Sequence, residues 1–315
     1  MASKLRLAVI IVPVILGSIV FAIGFNMRQQ TTDVITSRAP PIYGIMPFSS
    51  LNFDFDSLRS IFWILNVKNG TIKALHDFMV SLPAPLNEDA SSGEQIFGFQ
   101  FPYRVTFILP LTKAKGWSEL ESDSVPIEII DKKVHIEEET SIVYLKFTPL
   151  QGIKYYDFEF WFYCRDTILQ ETFSTYTLYI PIQETEKNVF VEYFTSLDWS
   201  VHHLDPVEFE HFLETGVWLP QGSQVIDIYP PLTREVIVSG ERMFTWRTIY
   251  DYGIEPHPQS GLKVLRIKFE MREDVERHDR LLYESGLFIG IGISNLIAGC
   301  YGILRYLAEK PGRIE

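Results

Sequence analysis

The chain has 315 residues, 46% of them apolar, and a formal charge of −12. That apolar share excludes a disordered chain, and the acidic balance excludes nucleic acid, which would need a basic stripe. Only Cys164 and Cys300 occur, and Cys300 lies in an uncharged segment, which excludes a disulfide-stapled ectodomain.

The N-terminus is apolar. Residues 7–25 are nineteen positions without a charge, behind Lys4 and Arg6. At ~1.5 Å per residue a helix of that length spans the hydrocarbon of a bilayer. Two readings stay open. Residues 1–27 form a cytoplasmic tail and a transmembrane helix, or they form a signal peptide cleaved at the small pair Ala22 and Gly24. The stretch exceeds the usual signal core, which favours the uncleaved anchor. Pro13 is acceptable in a membrane helix whose neighbours satisfy the freed carbonyl.

Residues 28–44, "RQQTTDVITSRAPPIYG", read as a linker. The exterior then reads as strands. "NFDFDSL" at 52–58 sets Asn52, Asp54 and Asp56 on one face, oxygens of the kind that hold calcium. An amphipathic strand with Phe53 and Phe55 inward is the simpler account. "VKNGTI" reads as a type I′ hairpin turn, and Asn69 as an N-glycosylation acceptor if the segment lies outside the cell. Strands are predicted at 97–110, at 141–148 and at 155–164, with a first block ending near 182. In "YYDFEFWFYC" the alternation sends Phe158, Phe160 and Phe162 one way and Asp157, Glu159 and Trp161 the other.

A second block follows. "DWSVHHLDPVEFEHFLETG" gathers His202, His203, Asp205, Glu208 and His211. Imidazole and carboxylate suit zinc or another transition metal, so His202, His203 and His211 are candidate ligands. Asp205, Pro206 and Glu208 also form a helix start without any metal. Downstream come "SQVIDIYPP", "REVIVSGERMFTWRTIY" with a hairpin turn at 239–241, and "LKVLRIKFEM". Regular short strands predict a mainly β fold. Two β-sandwich ectodomains, 45–184 and 185–271, are preferred over one continuous domain.

Residues 272–285 predict a helical stalk, with Glu273 and Arg277, then Glu276 and Arg280, spaced i,i+4. The stalk continues into a second span at 286–306 and a tail at 307–315, one helix from about 273 to 309. Gly286, Gly290, Ser294, Ala298 and Gly302 recur at every fourth position. In lipid such small residues let backbones approach. The partner is either the first span, where Ser18 and Ala22 share the spacing, or a second copy of this helix. Lys4 and Arg6 set the orientation, with both termini in the cytoplasm of a plasma-membrane protein and 28–285 outside. That exterior holds 23 basic and 38 acidic residues.

The stretch "WLPQGSQVIDIYPPLTREVIVSGERMFTW" at 218–246 resembles one found in membrane-anchored prokaryotic, often archaeal, surface proteins. The resemblance implies an extracytoplasmic immunoglobulin-like sandwich, covers this stretch alone, and transfers no functional residue. Nucleophile, phosphate-loop and dinucleotide motifs are absent from the sequence. The expected function is therefore non-enzymatic. Lipid and a protein partner are expected, no nucleic acid and no fixed cofactor. The alternatives are a metal-dependent extracytoplasmic enzyme using the histidines, or an oligomeric channel subunit.

Overall fold

Alternation of aromatic and charged side chains at 155–164 organises the fold. The computed structural model describes residues 2–32, 45–86, 93–118, 123–137, 140–181, 202–203, 213–238, 241–247 and 264–308. Helix α1 (Ala2–Thr32) precedes β1 (Met46–Ser49), β2 (Asp54–Asn66), β3 (Thr71–Ser81), β4 (Gln95–Phe101), β5 (Arg104–Ile108) and β6 (Lys113–Trp117). Next come β7 (Val125–Ile127), β8 (Ile129–Glu137), β9 (Thr140–Phe147), β10 (Tyr155–Arg165), β11 (Ile168–Gln170) and β12 (Thr175–Pro181). The series closes with β13 (His202–His203), β14 (Leu213–Leu219), β15 (Ser223–Tyr229), β16 (Arg234–Val238), β17 (Glu241–Arg247), β18 (Val264–Met271) and helix α2 (Arg272–Ala308). The chain is mainly β with an apolar helix toward each end, as the sequence predicts.

Among the described residues three sheets form. A five-stranded sheet has the order β13-β1-β4-β9-β8. A nine-stranded sheet has the order β16-β17-β14-β2-β3-β10-β6-β7, with β5 also on β10. A four-stranded sheet has the order β11-β12-β18-β15. Phe158, Phe160 and Phe162 of β10 are fully buried, while Asp157, Glu159 and Trp161 stand on the other face.

The core between the first two sheets is aromatic. Phe97 of β4 stacks on Phe158 of β10 with ring centroids 4.1 Å apart. Phe99 meets Phe160 and Phe78 edge-on or tilted at 5.1 Å. Such ring pairs add about 0.5–1.5 kcal/mol each beyond area burial. His76 sits inside this cluster, 0% exposed, with rings of Phe62, Phe78, Phe99, Phe101 and Phe162 around it. Ser60 Oγ lies 2.7 Å from its Nδ1. Burial lowers its pKa to about 3, so the ring is neutral.

Gly98 of β4 carries a packing constraint. A Cβ there would fall 2.3 Å from the Val143 carbonyl oxygen and 2.5 Å from Tyr144 Cβ. Only glycine lets β9 cross at that distance.

Two expectations meet a different geometry. Strands from both sides of residue 184 share one sheet, because β14 pairs in parallel with β2 from Leu213 opposite Leu58 to Trp218 opposite Trp63. Residues Thr36–Gln170 and Tyr176–Phe269 accordingly form one compact unit. The β2–β3 connection is a four-residue loop, not a two-residue I′ turn. Gly70 alone has positive φ, at 59°, and Asn66 Oδ1 accepts from the amides of Lys68 and Asn69. The Asn66 side chain thus caps a wider turn than the Asn-Gly pair implies.

The second compact unit comprises α1, the turn Glu171–Thr175 and α2. No residue separates β18 from α2, which runs unbroken for 37 residues. The Met271 amide donates to the Ser174 carbonyl at 3.4 Å. Phe173 lies against His278, 5.6 Å between rings, and under the Arg277 guanidinium at 5.8 Å. The turn thereby clasps the first helical turns of α2.

Helices α1 and α2 pair antiparallel. Gly17 faces the backbone of Gly292 and Leu296, Gly24 faces Ser285 and Ile289, and Gly299 faces Val14. Buried positions recur at seven-residue intervals, at Gly17, Gly24 and Thr31 on α1 and at Ser285, Gly292 and Gly299 on α2.

Candidate functional site

The expected ridge does not make the α1–α2 contact. Gly286 and Gly290 have nothing within 4 Å of a would-be Cβ. Ser294, Ala298, Ser18 and Ala22 are exposed and Gly302 is half-buried. The reason is geometric. At 100° per residue, a four-residue repeat from position 286 to 302 winds about 160° around the helix. A seven-residue repeat drifts only about 20° per step, so it stays on the facing partner. Ser294 and Asn295 hydrogen-bond back to the carbonyls of Gly290 and Ile291 in their own helix. The heptad of small residues was present in the sequence and is the signal that finds the α1–α2 contact.

The other expected sites scatter. The backbone of His202 and His203 forms β13, paired with Ser49 and Phe48 of β1. Their side chains and the whole of Asp205, Glu208 and His211 lie outside the described residues. Among the described residues no three His, Cys, Asp or Glu side chains converge on a metal position. Asn52 and Asp54 are exposed, whereas Asp56 accepts from Ser81 Oγ at 3.1 Å. Asn69 is exposed, and its Oδ1 accepts from the Thr71 amide at 3.1 Å and hydroxyl at 2.7 Å.

Chemistry concentrates instead on the outer face of the nine-stranded sheet. Strand register places Glu214, Arg59, Asp77, Glu159 and Lys113 side by side across β14, β2, β3, β10 and β6. Adjacent strands bring their Cβ atoms to ~5 Å, so this is one continuous charged row. Lys113 pairs with Glu159 at 2.9 Å and Arg59 with Glu214 at 3.8 Å. One row along, Lys115 pairs with Asp157 at 3.7 Å.

Asp77 sits at the centre of the row. Its pKa is raised to about 8, first by burial, then by a hydrogen bond with Asp157 and by the charges of Asp157 and Glu159; Arg59 opposes this without cancelling it. Asp157 Oδ1 is buried and accepts from no nitrogen or hydroxyl. Asp77, keeping its proton, hydrogen-bonds to the Asp157 carboxyl group.

On the opposite side of the row lie aromatic rings. Trp63 of β2 stacks with Trp161 of β10 at 5.4 Å and 19°. The Lys73 ammonium stands 4.5 Å from the Trp161 ring and 5.5 Å from Trp63. The Trp161 indole N–H donates to Glu159 Oε1, which ties the aromatic group to the charged row. Such a buttress fixes side chains that would otherwise move freely on an exposed face.

A pocket of about 410 Å³ opens over the Glu214 end of the row. It is lined by Asp56, Ser57, Leu58, Arg59, Asp77, Met79 and Glu214. Its size lies within the ~300–1,000 Å³ of ligand sites. Sequence reading missed it because Asp56 and Asp77 meet across the β2–β3 hairpin, whereas Glu214, far along the chain, joins them only through the parallel β2–β14 pairing.

No protein-family model matches the sequence, and no curated protein matches it significantly. Solved structures give weak matches. A putative nutrient binding protein from Legionella pneumophila is 9% identical, with TM-score 0.42 over 75% of this chain and 72% of that one. An M1 zinc metallopeptidase from Deinococcus radiodurans is 8% identical, with TM-score 0.36 over 68% of this chain. This chain spans 42% of that peptidase. Likenesses at this level assign neither family nor chemistry.

Proposed function

We propose that the chain is a two-span plasma-membrane protein whose β module lies outside the cell and binds a partner through the outer face of its nine-stranded sheet. The observation that carries this is the surface of the helix pair. Both helices hold an 18-residue apolar window of which only 11% is buried. Val12, Ile15, Leu16, Ile19, Ile297 and Leu304 are each at least half exposed. A core helix of a water-soluble domain buries such a surface, and water tolerates no contiguous apolar patch of this extent. Lipid does.

The topology follows from the pairing. Antiparallel packing sets the start of α1 and the end of α2 at one end. Basic residues flank both ends of the pair equally, five against five, so Lys4 and Arg6 ahead of the first span are what favour that end as cytoplasmic. The stretch 218–246, which resembles that of prokaryotic surface proteins, supplies β15, β16 and most of β17, and so belongs to the exterior module.

The test is alkaline carbonate extraction of membranes. The full chain should stay in the pellet, and release into the supernatant would contradict the reading. A pellet that releases only a version with α2 deleted would place the stronger anchor there.

A further inference from the structure

The pocket over the charged row admits a more specific reading, which rests on the partner-binding role given above. We propose that it receives a cationic side chain, an arginine or lysine presented by a basic segment of a protein partner.

Three observations support this occupant. The first is charge. Asp56 and Glu214, with Asp77 as a third acid that keeps its proton near neutral pH, line the pocket against a single cation, Arg59. Arg59 is tied to Glu214 at 3.8 Å, its side chain 52% exposed, while the Glu214 side chain is 19% exposed. Of this pair it is the cation that lies open, so an incoming guanidinium can take its place on Glu214 with little further desolvation. The second is shape. Met79, 40% exposed, gives the pocket an apolar wall, which suits the methylene stem that lysine and arginine carry behind their charge. The third is spread. Among the described residues no three acids focus on one point as a metal needs, so the carboxyl groups surround a volume rather than a position. An extended organic cation fills such a volume, whereas a bare ion leaves most of it empty.

Asp77 gives the pocket a dependence on pH. It holds its proton up to about pH 8, first because it is buried and then because of Asp157 and Glu159, with Arg59 opposing them. A guanidinium placed beside it favours the carboxylate, so binding releases a proton. Arginine stays charged throughout this range, so the effect of pH on its binding reports the protein's side, Asp77 with the Asp157, Glu159 and Arg59 groups that act on it.

The experiment uses the full chain in detergent micelles and calorimetry with three capped tripeptides, acetyl-Ala-Arg-Ala-amide, acetyl-Ala-Ala-Ala-amide and acetyl-Ala-Glu-Ala-amide. The arginine peptide should bind, and the other two should bind at least about tenfold more weakly. Glu214→Gln should weaken arginine binding about tenfold, and Arg59→Met, which removes the resident competitor, should tighten it severalfold. Affinity should rise between pH 7 and 9 and lose that rise in Asp77→Asn. Equal or absent binding of the three peptides, preference for the glutamate peptide, or weakening by Arg59→Met would each overturn the proposal. Far-UV circular dichroism of each variant separates lost binding from lost fold. Failure here removes the cationic occupant only, since carbonate extraction bears on the membrane reading independently.

Discussion

Replacing Gly292 and Gly290 in turn by leucine separates the two small-residue patterns of α2. A Cβ at 292 would lie 2.7 Å from the amide nitrogen and the Cβ of Phe21 on α1. Ordinary contacts are 3.4–4 Å, so even alanine would drive the helices apart by about 1 Å at that level, and leucine further. Attraction between membrane helices comes from close packing and not from a hydrophobic effect, so a gap along the seam removes most of it. We expect Gly292→Leu to destabilise the helix pair by about 2 kcal/mol. At Gly290 there is nothing within 4 Å, so Gly290→Leu should change it by less than about 0.5 kcal/mol. The assay is equilibrium unfolding in mixed micelles of mild detergent and dodecyl sulfate, followed by energy transfer between dyes on the two helices. Equal effects of the two variants, or a larger one at 290, would refute the heptad seam.

Three further outcomes follow from the exterior module. His76 has its pKa lowered to about 3 in the fold against 6.5 unfolded, so only the unfolded chain takes up a proton between those values. Its contribution is complete above pH 6.5 and falls with acidification toward pH 3, so His76→Leu should flatten the acid limb of the stability curve by a few kcal/mol, on the order of 1.4 per pH unit. Asp77 shows the opposite case. Its pKa is raised to about 8, so the folded chain keeps a proton that the unfolded chain has lost, and stability declines as pH rises from about 4 to 8. Asp77→Asn keeps a donor toward Asp157 and should raise the melting temperature at pH 8 while leaving it near wild type at pH 4. Gly98→Ala places a methyl group against the Val143 carbonyl and should cost about 3 kcal/mol, read as a lowered thermal midpoint.

The sequence carried local periodicity well. Alternation at 155–164 predicts the buried Phe158, Phe160 and Phe162, and the long uncharged runs predict α1 and α2. It carried long-range pairing poorly. Nothing near Leu213 indicates that β14 adds in parallel to β2, because a parallel partner is separated by a long crossover and leaves no turn signal. The charged row was unreadable for the same cause. Glu214, Arg59, Asp77, Glu159 and Lys113 become neighbours only through four strand pairings. The four-residue ridge on α2 does not meet α1, because the seven-residue spacing of Ser285, Gly292 and Gly299 running beside it is the one that stays on the facing helix.

Side-specific cysteine labelling tests the two-span arrangement most directly. In a background with Cys164→Ala and Cys300→Ala, single cysteines are introduced as Asn69→Cys in the exposed β2–β3 loop and as Ala308→Cys at the end of α2. With an impermeant maleimide on intact cells, Asn69→Cys should react at once and Ala308→Cys only after the membrane is permeabilised. Labelling of Ala308→Cys on intact cells, or protection of Asn69→Cys until lysis, would contradict the arrangement.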